Sequence, residues 1–166
     1  MDFLFPMGES VMIKTCMKQN VISIPVTATI REAAALVVKH HIGLLPVIDP
    51  NGKPVGIVRL SDLLSLELPD FFDLLPDLDF VHDFGAVETS RPSAEELDRP
   101  ITHLIQPGIF VEESCGLVRA FALMIKHHLY DLPVISNGGV LVGIASRVDI
   151  GAAILYNWQS VDTDSQ

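Results

Sequence analysis

The side chains of this 166-residue chain that could do chemistry come in pairs. Two histidine doublets, His40-His41 and His127-His128, offer imidazoles of the kind that ligate metals. Neighbouring residues on a helix point about 100° apart, so a doublet cannot close on one ion. A position near a helix C-terminus, where cationic side chains complement the dipole, accounts for each doublet instead. Cys16 and Cys115 lie far apart without ligand spacing and read as reduced thiols. Asp77, Asp79, His82 and Asp83 match no calcium-loop spacing. The sequence has no Gly-rich phosphate loop, nucleophile elbow or His-Glu-x-x-His, which argues for binding rather than catalysis and for no catalytic cofactor. Two carboxylates then stand out, Asp62 and Asp149, each six residues past a glycine and each where helical character resumes. A first-turn Asp is favoured in any helix, so capping is one reading of both, and of Ser146 beside Asp149; ligand contact is the other.

The pairing reflects a duplication. Sliding the chain on itself by 87 residues sets Thr15 to Asp62 on Thr102 to Asp149 without a gap, and 18 of the 48 positions are identical. Lys39-His40-His41 falls on Lys126-His127-His128, Leu45-Pro46-Val47-Ile48 on Leu132-Pro133-Val134-Ile135, and Val55-Gly56-Ile57 on Val142-Gly143-Ile144. Two copies of one supersecondary unit follow.

Within each copy the periodicity changes along the chain. Val21 to Ile24 and Ile109 to Val111 predict strands. Thr29-Ile30-Arg31-Glu32 has capping-box spacing, and Ile30, Ala33, Ala34, Val37 and Val38 recur at helical steps, as do Leu117, Ala120, Phe121, Met124 and Ile125. Leu45 to Ile48 and Pro54 to Val58 predict two strands joined by Asp49-Pro50-Asn51-Gly52, where Asn and Gly are suited to positive φ; Ser136-Asn137-Gly138-Gly139 makes the same turn. Helices are expected again over 61–66 and 147–156. The predicted class is α/β (α+β): two β-α-β-β-α repeats packed with quasi-two-fold symmetry, with clefts between them. The boundaries are 1–66 for the first repeat, 67–97 for an insertion, 98–158 for the second repeat and 159–166 for a flexible tail.

Charge narrows the partners. With 11 Lys+Arg against 21 Asp+Glu, a net charge of −10 disfavours nucleic acid and anionic membranes. Met1 to Pro6 has no basic n-region, so no signal peptide is expected, and no apolar run reaches the ~18 residues of a membrane span. A cytoplasmic location is expected. Residues 66–100 carry ten acidic and two basic side chains interleaved with Phe71, Phe72, Phe80 and Phe84. Such an insertion packs over its own module or a dimer mate, or docks a basic protein partner.

The order Leu-Pro-Val-Ile, turn, Val-Gly-Ile and Asp six residues after that Gly resembles the cystathionine-β-synthase (CBS) domain, tandem pairs of which form Bateman modules. The resemblance spans roughly 10–66 and 98–156. It implies a regulatory sensor that binds an adenosine-containing ligand such as AMP, ATP or S-adenosylmethionine in a cleft between repeats, and that forms a homodimer. The family's ribose signature, Gly-h-x-Thr/Ser-x-x-Asp, is whole in Gly143-Ile144-Ala145-Ser146-Arg147-Val148-Asp149. The first copy, Gly56-Ile57-Val58-Arg59-Leu60-Ser61-Asp62, has Arg59 in place of the hydroxyl, which makes Asp62, Arg59 and Ser61 a second, weaker site. The resemblance completes the Asp149 site with Tyr130 and Asp131 and, from the first copy, with Thr27, Ile42 and Gly43. Ile42 and Tyr130 would sandwich a purine, and Arg147 and Arg59 are the cations in reach of a phosphate. Family members that hold phosphates are often basic where this chain has Asp131, so few negative charges can be compensated. The alternative is a structural homodimerisation module without nucleotide, acting through the acidic insertion.

Overall fold

The computed structural model describes residues 11–68 and 91–159. Most of the acidic insertion, including Phe71, Phe72, Phe80, Phe84, Asp77, Asp79, His82 and Asp83, lies outside the described residues, as do the N-terminal ten residues and the tail from 160.

Both repeats fold in the order strand, helix, strand, strand, helix. The first holds β1 (Ile24–Pro25), α1 (Ile30–His40), β2 (Leu44–Ile48), β3 (Pro54–Arg59) and α2 (Leu60–Leu64), which tightens into a 3-10 turn at Ser65–Glu67. After a four-residue helix α3 (Ala94–Leu97), the second holds β4 (Val111–Glu112), α4 (Leu117–Lys126), β5 (Asp131–Ile135), β6 (Leu141–Ser146) and α5 (Arg147–Gln159). The result is mixed α/β with two three-stranded sheets, ordered β1-β2-β3 and β4-β5-β6. In the latter β4 runs parallel to β5 and β5 antiparallel to β6.

Local chemistry sets the boundaries. Thr29 closes the expected capping box at α1: its Oγ1 accepts from Glu32 N at 3.2 Å, and Glu32 Oε2 accepts from Thr29 N at 2.7 Å. The leading strands are shorter and later than expected. Only Val111 and Glu112 pair along β5, at Val134 and Ile135, before the chain turns into α4. Asn51 does not take positive φ; Gly52 alone does, at 78°. The Asp49 side chain closes that turn, its Oδ1 accepting from Asn51 N at 2.8 Å and Lys53 N at 3.0 Å. Both histidine doublets sit at helix C-termini, and His41 and His128 take left-handed φ of 51° and 54° to end α1 and α4.

The chain forms two compact units that cut across the repeats. One comprises 11–22, 48–54 and 108–159, the other 23–47, 55–68 and 91–107. In the first, Ile13 is fully buried among Leu117, Ala120, Met124 and Ile150, and Ile13 N donates to Cys115 O at 2.8 Å. In the second, Ile101 is fully buried and donates to Ala28 O at 2.9 Å. Burying each isoleucine contributes roughly 1.5–3 kcal/mol, which anchors the segment leading into each repeat upon elements of the other. These segments match at an offset of 88, because Lys18 bridges Ile144 while Gln106 bridges Ile57. One more residue separates the bridge from the strand in the first copy, a shift that a gap-free alignment hides.

Candidate functional site

β6 ends and α5 begins at Ser146 and Arg147. There Ser146 Oγ accepts from Asp149 N at 3.0 Å, and Asp149 Oδ2 accepts from Ser146 N at 2.9 Å. This is a reciprocal cap with Asp in the Glu position, so capping accounts for the spacing of the pair. It uses one carboxylate oxygen and one hydroxyl lone pair. Asp149 Oδ1 can still accept, and the Ser146 O–H can still donate, to a vicinal diol. The Asp149 side chain is 23% exposed, enough to be reached from solvent.

Three neighbours complete the charge environment. Asp131 stands directly opposite Ser146 in the β5–β6 ladder. Burial pushes its carboxyl above the ordinary range, the Asp149 charge adds to this, and Lys18 opposes it. Lys18 was not singled out by the sequence reading, yet its Nζ lies 3.9 Å from Asp149 Oδ2. It is held by two backbone bonds with Ile144, of 2.8 and 3.0 Å. Cys16, also unforeseen here, has its thiol pushed up to about 11, first by burial and then by Asp149. The available signal was Gly143: a Cβ there would meet Met17 and, at 3.2 Å, Lys18 O, so a backbone crosses it closely.

Arg147 is held by its own surroundings. Its Nε donates to Leu129 O, its Nη2 donates to Met124 O at 3.3 Å, and its guanidinium lies 4.7 Å from the centre of the Tyr130 ring. Met124 O, which already accepts from Leu129 N at 2.8 Å, gains a second donor in this way, and Leu129 O, just past the end of α4, takes up the Nε–H. Tyr130, 74% exposed, has one face stacked on that cation. Val148, 76% exposed, touches the site only through its place in the first turn.

The first repeat has half of this arrangement. Asp62 Oδ2 accepts from Arg59 N at 2.8 Å, but a guanidinium has no acceptor with which to return the bond. Arg59 and Ser61 are exposed and Asp62 half-buried. Thr27, exposed between β1 and α1, and Ile42-Gly43, in the turn from α1 to β2, belong to the same unit as Asp62, with Gly43 O accepting from Leu60 N at 2.9 Å.

The duplicated strand-helix-strand-strand-helix unit, with a hydroxyl–carboxylate pair at its last strand-to-helix junction, defines a tandem α/β repeat module. The model of the CBS domain matches the chain twice, over 13–68 and 99–156, and the chain belongs to that family. CBSX1, a chloroplastic CBS domain-containing protein of Arabidopsis thaliana, is 29% identical over 155 residues, covering 89% of this chain and 65% of the relative. A homoserine O-acetyltransferase of Methanocorpusculum labreanum is 31% identical over 143 residues, covering 86% of this chain but only 23% of the enzyme. The chain therefore spans less than two thirds of either relative. Among solved structures, CBSX2 in complex with AMP superposes with a TM-score of 0.64 at 27% identity, covering 87% of this chain and 96% of that one. Among the described residues no helix is long and apolar enough to cross a membrane.

Proposed function

We propose that this CBS-domain pair is a regulatory module that senses an adenosine-containing small molecule, of the AMP, ADP, ATP or S-adenosylmethionine class, at Ser146 and Asp149 and signals to a partner protein. The observation that carries this reading is the hydroxyl and carboxylate held rigid at a strand-to-helix junction with hydrogen-bonding capacity left over. The AMP held by CBSX2 supports the ligand class. Tyr130 and Asp131 flank the pair, and Asp62 with Arg59 and Ser61 forms a weaker second site because the hydroxyl is missing. The module works as a cytoplasmic homodimer, a reading supported by two free cysteines and by the exposed apolar side chains of Val118, Ile125 and Trp158. The ligand acts through its different affinity for two arrangements of the protein, and no catalytic step is involved.

Thermal unfolding in the presence of each nucleotide tests this. A ligand at about 100-fold over its Kd adds roughly 2.7 kcal/mol, about 5–10 °C in Tm for a chain of this size. Asp149→Ala costs about 1 kcal/mol through its cap alone. The decisive quantity is thus the ligand-induced shift, which this variant should lose. If the variant shifts as the wild type does, the assignment to Ser146 and Asp149 fails. If no nucleotide raises Tm, the nucleoside reading fails and the structural-dimer alternative, favoured by the mutual capping of Ser146 and Asp149, takes its place.

A further inference from the structure

Directly opposed residues of an antiparallel pair share one face of the sheet, with Cβ atoms about 5 Å apart. Asp131 is opposed to Ser146, so a ligand that reaches the Ser146 hydroxyl has the Asp131 carboxylate beside it. The charged groups around that position can be named. Asp149 brings a second carboxylate and Lys18 one ammonium, 3.9 Å from Asp149 on a side chain that is 70% exposed. Arg147 directs its guanidinium to the carbonyls of Met124 and Leu129 and to the Tyr130 ring. The Cys16 thiol, raised to about 11, is uncharged at neutral pH. Two partly buried carboxylates therefore face one largely hydrated ammonium, and the surplus charge is negative. Charges within the ~8 Å screening length at physiological ionic strength act on whatever enters.

We propose that Asp131 makes the Ser146–Asp149 site select by charge, so that affinity falls with each phosphate added and the ligand is a nucleoside or a nucleoside monophosphate rather than a polyphosphate. The inference rests on the nucleoside reading above and goes beyond it by assigning the selectivity to one side chain. Lys18 is its counterweight, the cation that keeps a single phosphate tolerable. The corresponding position of the first repeat, 87 residues earlier, is Leu44, so this charge belongs to the second repeat alone.

The test is calorimetric titration of the full chain with adenosine, AMP, ADP and ATP without divalent metal, on wild type, Asp131→Asn, Asp131→Leu and Lys18→Ala. Kd should rise from AMP to ATP by about tenfold or more, the equivalent of about 1.4 kcal/mol. Asp131→Asn should flatten the series, improving ATP binding several-fold while changing adenosine binding little. Asp131→Leu, the residue of the first repeat, should do the same. Lys18→Ala should steepen the series. ATP binding as tightly as AMP to the wild type, or an unchanged series in both Asp131 variants, overturns the selectivity while leaving the nucleoside reading intact. A wild type that binds none of the four overturns both.

Discussion

The two motif glycines should differ in what a single methyl group costs. Gly56 and Gly143 occupy matching positions on β3 and β6, and neither has positive φ, so an added Cβ meets a steric rather than a conformational obstacle. At Gly56 the new atom would lie 2.5 Å from Ile105 Cγ2 and 2.7 Å from Gln106 O. The second of these is backbone, fixed by the reciprocal bonds of 2.9 Å between Ile57 and Gln106. Relief requires moving that backbone by about half an ångström, which strains the contact and weakens both bonds. Overpacking costs about 1–3 kcal/mol and each bond contributes about 0.5–1.5, so Gly56→Ala should cost about 3 kcal/mol. At Gly143 the nearest atoms belong to the flexible Met17 side chain, and the nearest backbone atom, Lys18 O, is 3.2 Å away. Met17 can swing aside, so Gly143→Ala should cost about 1–2 kcal/mol. Thermal unfolding should show Gly56→Ala melting roughly 6–12 °C below wild type, with Gly143→Ala losing about half as much. Equal costs, or a cheaper Gly56→Ala, would refute the claim that the fixity of the crossing backbone sets the penalty.

Two other outcomes follow from the geometry. His41 and His128 hold left-handed φ at exposed positions, so His41→Gly should match or exceed wild-type stability by up to about 1 kcal/mol while His41→Val loses more than about 1 kcal/mol; chemical denaturation midpoints that reverse this order would count against a backbone origin. The folded-state value of the Cys16 thiol is raised from 9.0 to about 11, so its contribution is intact below pH 9 and is lost as pH climbs from 9 to 11; urea midpoints of wild type should fall more steeply than those of Cys16→Ala across that window, and parallel slopes would contradict the burial that raises it.

The sequence by itself determined the duplication, the order of elements, the helix cap at Thr29 and the junction at Ser146 and Asp149. Each of these depends on contacts only a few residues apart, and local spacing encodes such contacts directly. It also showed, through Arg59, that the first junction would be incomplete. Only the tertiary structure decided which segment packs where. The leading segments match at 88 rather than 87, and Lys18 comes to stand beside Asp149, because burial of Ile13 and Ile101 and the bare surfaces of Gly143 and Gly56 select those partners from far along the chain. Arg147 illustrates the same limit. Its charge is legible in the sequence, but its bonds to Leu129 O and Met124 O exist only once the end of α4 and the turn after it lie beside the start of α5.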